Sequence, residues 1–177
     1  VRKLYVDRVE DFLTEMQILK KLDHPNIIKC LDVLDDGVRV HAVIEYCAGG
    51  DLFDWFNSLP EYTERTVARM MGDITGAIAH CHHHHIVHRD IKPENILFYH
   101  DPSREQKANV KLCDFGCAFQ LKVTEGRSEA DILSQPQMQS LVGSVYYIAP
   151  EVLQQRGQYD ASVDMWSLGV LSYLFIS

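Results

Sequence analysis

Apolar residues recur at helical spacing from about residue 8 to residue 22, at Val9, Phe12, Met16, Leu19 and Leu22, which predicts an amphipathic helix. His24-Pro25-Asn26 ends it, because proline has no amide to donate and its ring crowds the preceding turn. Residues 27–34 and 38–44 read as two strands joined by the turn Asp35-Asp36-Gly37. A connector, Glu45-Tyr46-Cys47-Ala48-Gly49-Gly50, follows, and Asp51-Leu52-Phe53 opens a short helix. The longest helical stripe covers 63–84, with Val67, Met70, Met71, Ile74, Ile78 and Cys81 facing one way and Thr63 as N-cap. Short β pieces then fall at 86–87, 96–98 and 110–113, the last two separated by a polar loop built on Asp101-Pro102-Ser103. Residues 121–139 lack an apolar period and contain Gly126 and Pro136, so they are expected to form a mobile loop. The final apolar run, 165–176, is too short to cross a bilayer, which needs about 20 residues, and suits a buried core helix.

Composition narrows the classes. With 46% apolar residues the chain can bury a real core. A formal charge of −8 argues against nucleic acid as the main partner. No signal peptide, membrane span or polybasic segment is visible. Five cysteines, odd in number and never in a CxxC pair, read as free thiols in a reducing, intracellular and cytoplasmic setting. Cys113 is expected to be a small packed residue rather than a reactive thiol. The run His82-His83-His84-His85 does not read as a metal site, because neighbouring residues on a helix point in different directions.

The chemistry concentrates downstream. His88-Arg89-Asp90-Ile91-Lys92-Pro93-Glu94-Asn95 places a carboxylate, a cation and a carbonyl donor within eight residues. Asp114-Phe115-Gly116 and Ala149-Pro150-Glu151 follow in that order. Single tripeptides recur by chance, but the ordered set resembles a eukaryotic serine/threonine protein kinase domain. The resemblance covers essentially the whole chain. It implies an α+β, two-lobed kinase-like fold, with residues 1–44 as part of the small lobe, 45–50 as the hinge and 51–177 as part of the helical lobe. No glycine-rich loop or ATP-binding lysine precedes Glu15, the chain opens on Val1, and it stops within an apolar stretch. Both ends are therefore expected to be truncations, and residues 1–177 alone are expected to be inactive and poorly soluble.

The resemblance also implies roles. Asp90 would accept or orient the proton of the substrate hydroxyl, and Lys92 would sit near the transferring phosphate. Asn95 and Asp114 would hold Mg²⁺ through hard oxygen donors. For ATP, Ile44 would be the gatekeeper, Glu45 and Cys47 would read the adenine edge through their backbone, and Leu97 would pack on its face. Asp51 and Glu94 would contact ribose or basic residues of the substrate. Glu15 would be the helix glutamate that pairs with the ATP-binding lysine. His88 and Phe115 would belong to an apolar stack between the lobes, and Asp164 would bond the catalytic-loop backbone. Glu151 would lack its distant arginine. Arg89 would gather a phosphorylated activation segment, with Ser140 as the modified residue.

His24-Pro25-Asn26-Ile27-Ile28, the 49–54 stretch and the 143–153 stretch are most similar to the calcium/calmodulin-dependent and calcium-dependent kinase group. One departure is Ser144, where threonine is usual; serine keeps the hydroxyl that can bond Asp90 and Lys92. The implied partners are protein substrates with Ser/Thr acceptors, including ones with upstream basic residues. No EF-hand loop occurs, so calcium or calmodulin control of the parent is not readable here. The alternative is a pseudokinase acting as a binding scaffold, and intact Asp90, Lys92, Asn95 and Asp114 argue against it.

Overall fold

The computed structural model describes residues 9–58, 62–101, 109–154 and 157–176. Helix α1 (Val9–Lys21) carries Glu10 and Asp11 in its first turn and Lys20 and Lys21 in its last, each sign matching the helix dipole. Its apolar face buries Met16, Ile18 and Leu19. The next two strands, β1 (Cys30–Asp35) and β2 (Val40–Ile44), pair antiparallel around a turn in which Asp36 Oδ1 accepts the Val38 and Arg39 amides. The expected first strand began earlier, at residue 27. Ile27 and Ile28 in fact join a different ladder: Ile28 N–H donates to the Leu112 carbonyl at 2.9 Å, and Leu112 N–H to the Asn26 carbonyl at 2.8 Å.

Helix α2 (Leu52–Ser58) is short, and α3 (Glu64–His83) is the central rod. Thr63 caps α3 as expected, accepting the Thr66 amide at 3.2 Å. Val67, Met70, Ile74, Ala77, Ile78 and Cys81 face the core, and Met71 lies at its margin. The rod ends where His85 takes a left-handed backbone, φ 58°, which turns the chain out of the helix.

Four short strands follow: β3 (Ile86–Val87), β4 (Ile96–Phe98), β5 (Val110–Leu112) and β6 (Phe119–Gln120). β3 pairs β6 and β4 pairs β5, both antiparallel. The loops 88–95 and 113–118 are thus held side by side by the strands that flank them. Most of the polar stretch around Asp101 lies outside the described residues. Gly49 approaches β4 so closely that a Cβ there would collide with Phe98 and the His100 carbonyl, which fixes the connector against the larger part of the chain.

The segment 121–139 corrects the sequence expectation. It is not a loose loop: α4 (Glu129–Leu133) forms inside it under a reciprocal capping box between Ser128 and Asp131. Leu121, Ile132 and Met138 are buried together with Val87, Val152, Tyr159 and Val163 in a second apolar cluster. Helix α5 (Pro150–Leu153) and α6 (Ser162–Ile176) close the chain. α6 sends Leu168, Leu171 and Phe175 into the main core while Met165, Trp166, Tyr173 and Ile176 stay exposed. The α+β class expected from the sequence is the class observed. Because Ile132 is 2% exposed, Ile132→Ala should lower the unfolding free energy by about 2–5 kcal/mol in urea titration. A side chain in a loose loop would leave it unchanged.

Candidate active site

The loop 88–95 hangs from one buried carboxylate. Asp164, in the first turn of α6, is fully buried; its Oδ2 accepts the His88 amide at 2.9 Å and its Oδ1 the Arg89 amide at 2.8 Å. His82, at the end of α3, adds a ring bond from Nε2 to Asp164 Oδ2 at 2.8 Å. These contacts hold Arg89 in a left-handed conformation, φ 67°, which a non-glycine residue adopts at a cost. His88 is itself buried. Its Nε2 faces the Cys113 carbonyl at 3.1 Å, which can only accept, and its Nδ1 receives the Asp90 amide at 3.3 Å. The two bonds fix the neutral tautomer with the proton on Nε2, and burial pushes its pKa down, in keeping with that form. The ring packs edge-on against Phe115 with centroids 4.7 Å apart.

Asp90 then presents its carboxylate to three groups. Lys92 Nζ lies 2.8 Å from Oδ2, Ser144 Oγ donates to Oδ1 at 2.8 Å, and Asn95 Nδ2 donates to Oδ2 at 3.0 Å. Lys92 Nζ also donates to Ser144 Oγ at 2.7 Å, closing a triangle. Burial works against ionisation of Asp90, but the bonds from Lys92, Ser144 and Asn95 together outweigh it and hold its carboxyl below the usual range. The same pairing raises the Lys92 pKa against its own desolvation. The single hydroxyl of Ser144 thus serves both partners, as the serine-for-threonine departure allows.

Asn95 and Asp114 are distant in sequence, and the β4–β5 ladder brings them together. Ile96 stands opposite Leu112, so the two residues lie just outside one end of the same ladder, where Cys113 N–H donates to the Asn95 carbonyl at 2.9 Å. Asn95 spends its side-chain amide on Asp90, which leaves its side-chain oxygen uncommitted to that pair. Asp114 is exposed, has φ 61°, and accepts the Gly116 amide at 3.2 Å. Two hard oxygen donors suit Mg²⁺, which keeps waters and phosphate oxygens for the rest of its shell.

The comparison with known proteins fits this arrangement. Residues 2–177 match the family described as protein kinase domain. The chain belongs to the protein kinase family. It is 36% identical over 99% of its length to calcium-dependent protein kinase 5 of Plasmodium berghei, covering 28% of that protein. It is 41% identical over 99% of its length to calcium-dependent protein kinase 2 of Arabidopsis thaliana, covering 25% of it. Calcium-dependent protein kinase 8 of the same plant is 40% identical over 95% of this chain, which covers 29% of that relative. The kinase chain thus spans less than a third of the length of these curated relatives.

Around the Asp90 cluster, Arg89 gathers the segment after β6. Its Nε donates to the Cys117 carbonyl, its Nη1 to Ser140 Oγ at 2.8 Å and to the Tyr159 hydroxyl at 3.1 Å, and its guanidinium lies over the Phe119 ring. Gly143 passes so near that a Cβ would come within 2.5 Å of the Arg89 carbonyl, at a φ of 103°. Ser140 thus meets Arg89 through its unmodified hydroxyl. Glu151 is exposed, as is Glu94.

The connector 45–50 is braced by a contact no motif announced. Glu45 Oε2 pairs with Lys111 Nζ at 2.9 Å, both side chains nearly buried, and accepts the Lys29 amide at 3.1 Å. Among the described residues the Glu45 carbonyl and the Cys47 amide enter no backbone hydrogen bond. Ile44 is 40% exposed, and Cys47 and Leu97 are half-buried. Asp51 uses Oδ1 to cap α2 through the Asp54 amide at 2.8 Å, so part of its carboxylate is structural. Burial pushes the Cys113 thiol up to about 12, and its Sγ faces the Asn95 carbonyl, which agrees with a packed rather than reactive role. An open hollow of about 450 Å³ lies elsewhere, lined by Arg127, Asp131, Ser134, Gln135 and Pro136, none of them in this centre.

On α1, Glu15 accepts the Phe115 amide. Burial and then the nearby Asp114 charge raise its pKa above the ordinary carboxyl value. A carboxyl raised on folding penalises the folded state once pH exceeds its unfolded value, and the penalty is complete above the folded one. In the chain of residues 1–177, Glu15→Gln should therefore raise the melting temperature at pH 7 by a few degrees at most. The gain should vanish as pH falls below the ordinary glutamate value of 4.5. A gain that persists at pH 3 would contradict this account.

Proposed function

We propose that the intact protein is a serine/threonine protein kinase that transfers the γ-phosphate of MgATP to hydroxyls of protein substrates. The observation that carries this reading is the Asp90–Lys92–Ser144–Asn95 cluster, in which one ionised carboxylate is held between a cation and two donors. In that reading Asp90 Oδ accepts the hydrogen bond of the incoming hydroxyl and orients it, and then takes up its proton. Lys92 stays charged beside it and offsets negative charge that develops on the transferring group. Ser144 keeps the two in register. Asn95 and Asp114 would hold the metal, which when bound supplies charge neutralisation at the phosphate oxygens. Ile44 and Leu97 would flank adenine, and the Glu45 carbonyl and Cys47 amide supply an acceptor and a donor for its edge.

Residues 1–44, 45–50 and 51–177 serve here as small-lobe, hinge and large-lobe segments. Exposed Glu94, and the part of Asp51 not spent on capping, would meet ribose or basic residues of the substrate. A phosphate on exposed Ser140 would add charge-assisted bonds to Arg89. Calcium control of the intact protein is suggested by the names of its relatives. Five free cysteines support a reducing, cytoplasmic setting. No helix among the described residues is long and apolar enough to cross a membrane. Residues 1–177 encode no glycine-rich loop or paired lysine, so phosphotransfer is expected from the full-length protein rather than from this stretch alone. Nothing observed favours the scaffold alternative.

In the full-length protein, Asp90→Ala and Asp114→Ala should each lower phosphorylation of a generic basic peptide at least about 100-fold. A radiolabel assay with purified variants reads this directly. Near wild-type turnover in either variant would remove that carboxylate from the mechanism.

A further inference from the structure

Tyr159 lies between α5 and α6, in no motif singled out from the sequence, and is only 5% exposed. Its backbone forms an isolated antiparallel bridge with Met138: the Tyr159 amide donates to the Met138 carbonyl at 2.8 Å, and the Gln137 and Met138 amides donate back to the Tyr159 carbonyl at 3.1 and 3.2 Å. Its hydroxyl donates to the Ser140 carbonyl at 2.6 Å and accepts from Arg89 Nη1 at 3.1 Å. One side chain thus ties the segment at Ser140 to the residue next to Asp90. Beyond Ser140 the chain runs through Gly143, pressed on the Arg89 carbonyl, directly to Ser144, whose hydroxyl bonds Asp90.

We propose that Tyr159 is a positioning residue for phosphotransfer: its hydroxyl, shared by Arg89 and the Ser140 carbonyl, sets the register in which Ser144 meets Asp90, with Ser140 unmodified. This rests on the protein-kinase reading above. Arg89 already has neutral acceptors in the Ser140 and Tyr159 hydroxyls and the Cys117 carbonyl, so the segment is anchored before any phosphate is added. A phosphate on Ser140 would reinforce an anchor that exists rather than create one.

The test uses the full-length protein, treated with phosphatase and shown by mass spectrometry to carry no phosphate on Ser140. Tyr159→Phe removes only the hydroxyl and keeps the backbone bridge, and thermal melting checks its fold. The expected result is a fall in kcat of about tenfold with the KM for ATP changed less than about twofold. Ser144→Ala and the double variant complete a cycle. If Tyr159 acts through Ser144, the double variant should be no more than about twofold slower than Ser144→Ala alone. Hydrogen exchange should also quicken at the amides of residues 139–144 in Tyr159→Phe. An active wild type with Tyr159→Phe within about twofold of it in kcat, or fully additive losses in the cycle, would overturn the positioning role alone. A wild type active before phosphatase treatment but inactive after it would overturn the role of the unmodified anchor alone, whereas no phosphotransfer in either state, with calcium supplied, would overturn the kinase reading and this role with it.

Discussion

Burying a carboxylate without partners is costly, and this chain buries Asp164 completely. Two backbone amides and one imidazole meet its two oxygens, which turns the cost into a constraint. The amides belong to His88 and Arg89, so the loop carrying Asp90 has to approach α6 in one way only. The left-handed backbone of Arg89 persists because the same bonds over-determine it. His88, held at its amide, can then reach the Cys113 carbonyl with its ring and settle the position of the neighbouring loop. Placement of the site propagates outward from this one buried charge.

The strands near the site are only two or three residues long, so sheet pairing by itself supplies little rigidity. Their contribution is topological. Two strand–loop–strand arms run antiparallel, and the loops between the strands are left facing each other. Fine positioning then comes from side chains: Asn95 onto Asp90, Ser144 onto Asp90, and Arg89 onto the segment at Ser140. This division of labour explains why Asp90, Lys92, Asn95, Asp114 and Ser144 lie outside the strands, while Ile86, Val87, Ile96, Phe98, Val110 and Leu112 within them are buried.

The elements legible in the sequence were those with a long period or a dense motif. The central rod Glu64–His83 showed both its stripe and its cap, and the block from His88 to Asn95 showed its chemistry. What stayed hidden was built from long-range contacts. Phe119–Gln120 is a strand only because Ile86–Val87 lies beside it; two residues carry no period of their own. The α4 helix is five residues long, too short for an apolar stripe, and its one local signal was the Ser128–Asp131 capping box. Burial of Ile132 and Met138 depends on Val152 and Val163, which follow well downstream. His82 looked like part of a featureless histidine run, and only the fold gives it a carboxylate to bond. Tyr159 had no neighbouring motif to flag it.

The pair between Glu45 and Lys111 has a further consequence for how this sequence can drift. Both side chains are largely out of water, and removing one partner of such a pair strands the other at a cost of roughly 3–5 kcal/mol. Losing the lysine alone would leave the acid without this counter-charge beneath the 45–50 connector. Losing the acid alone would leave an ammonium inside the strand that leads to Asp114. The two positions are therefore coupled in energy, although nothing in their local sequence links them.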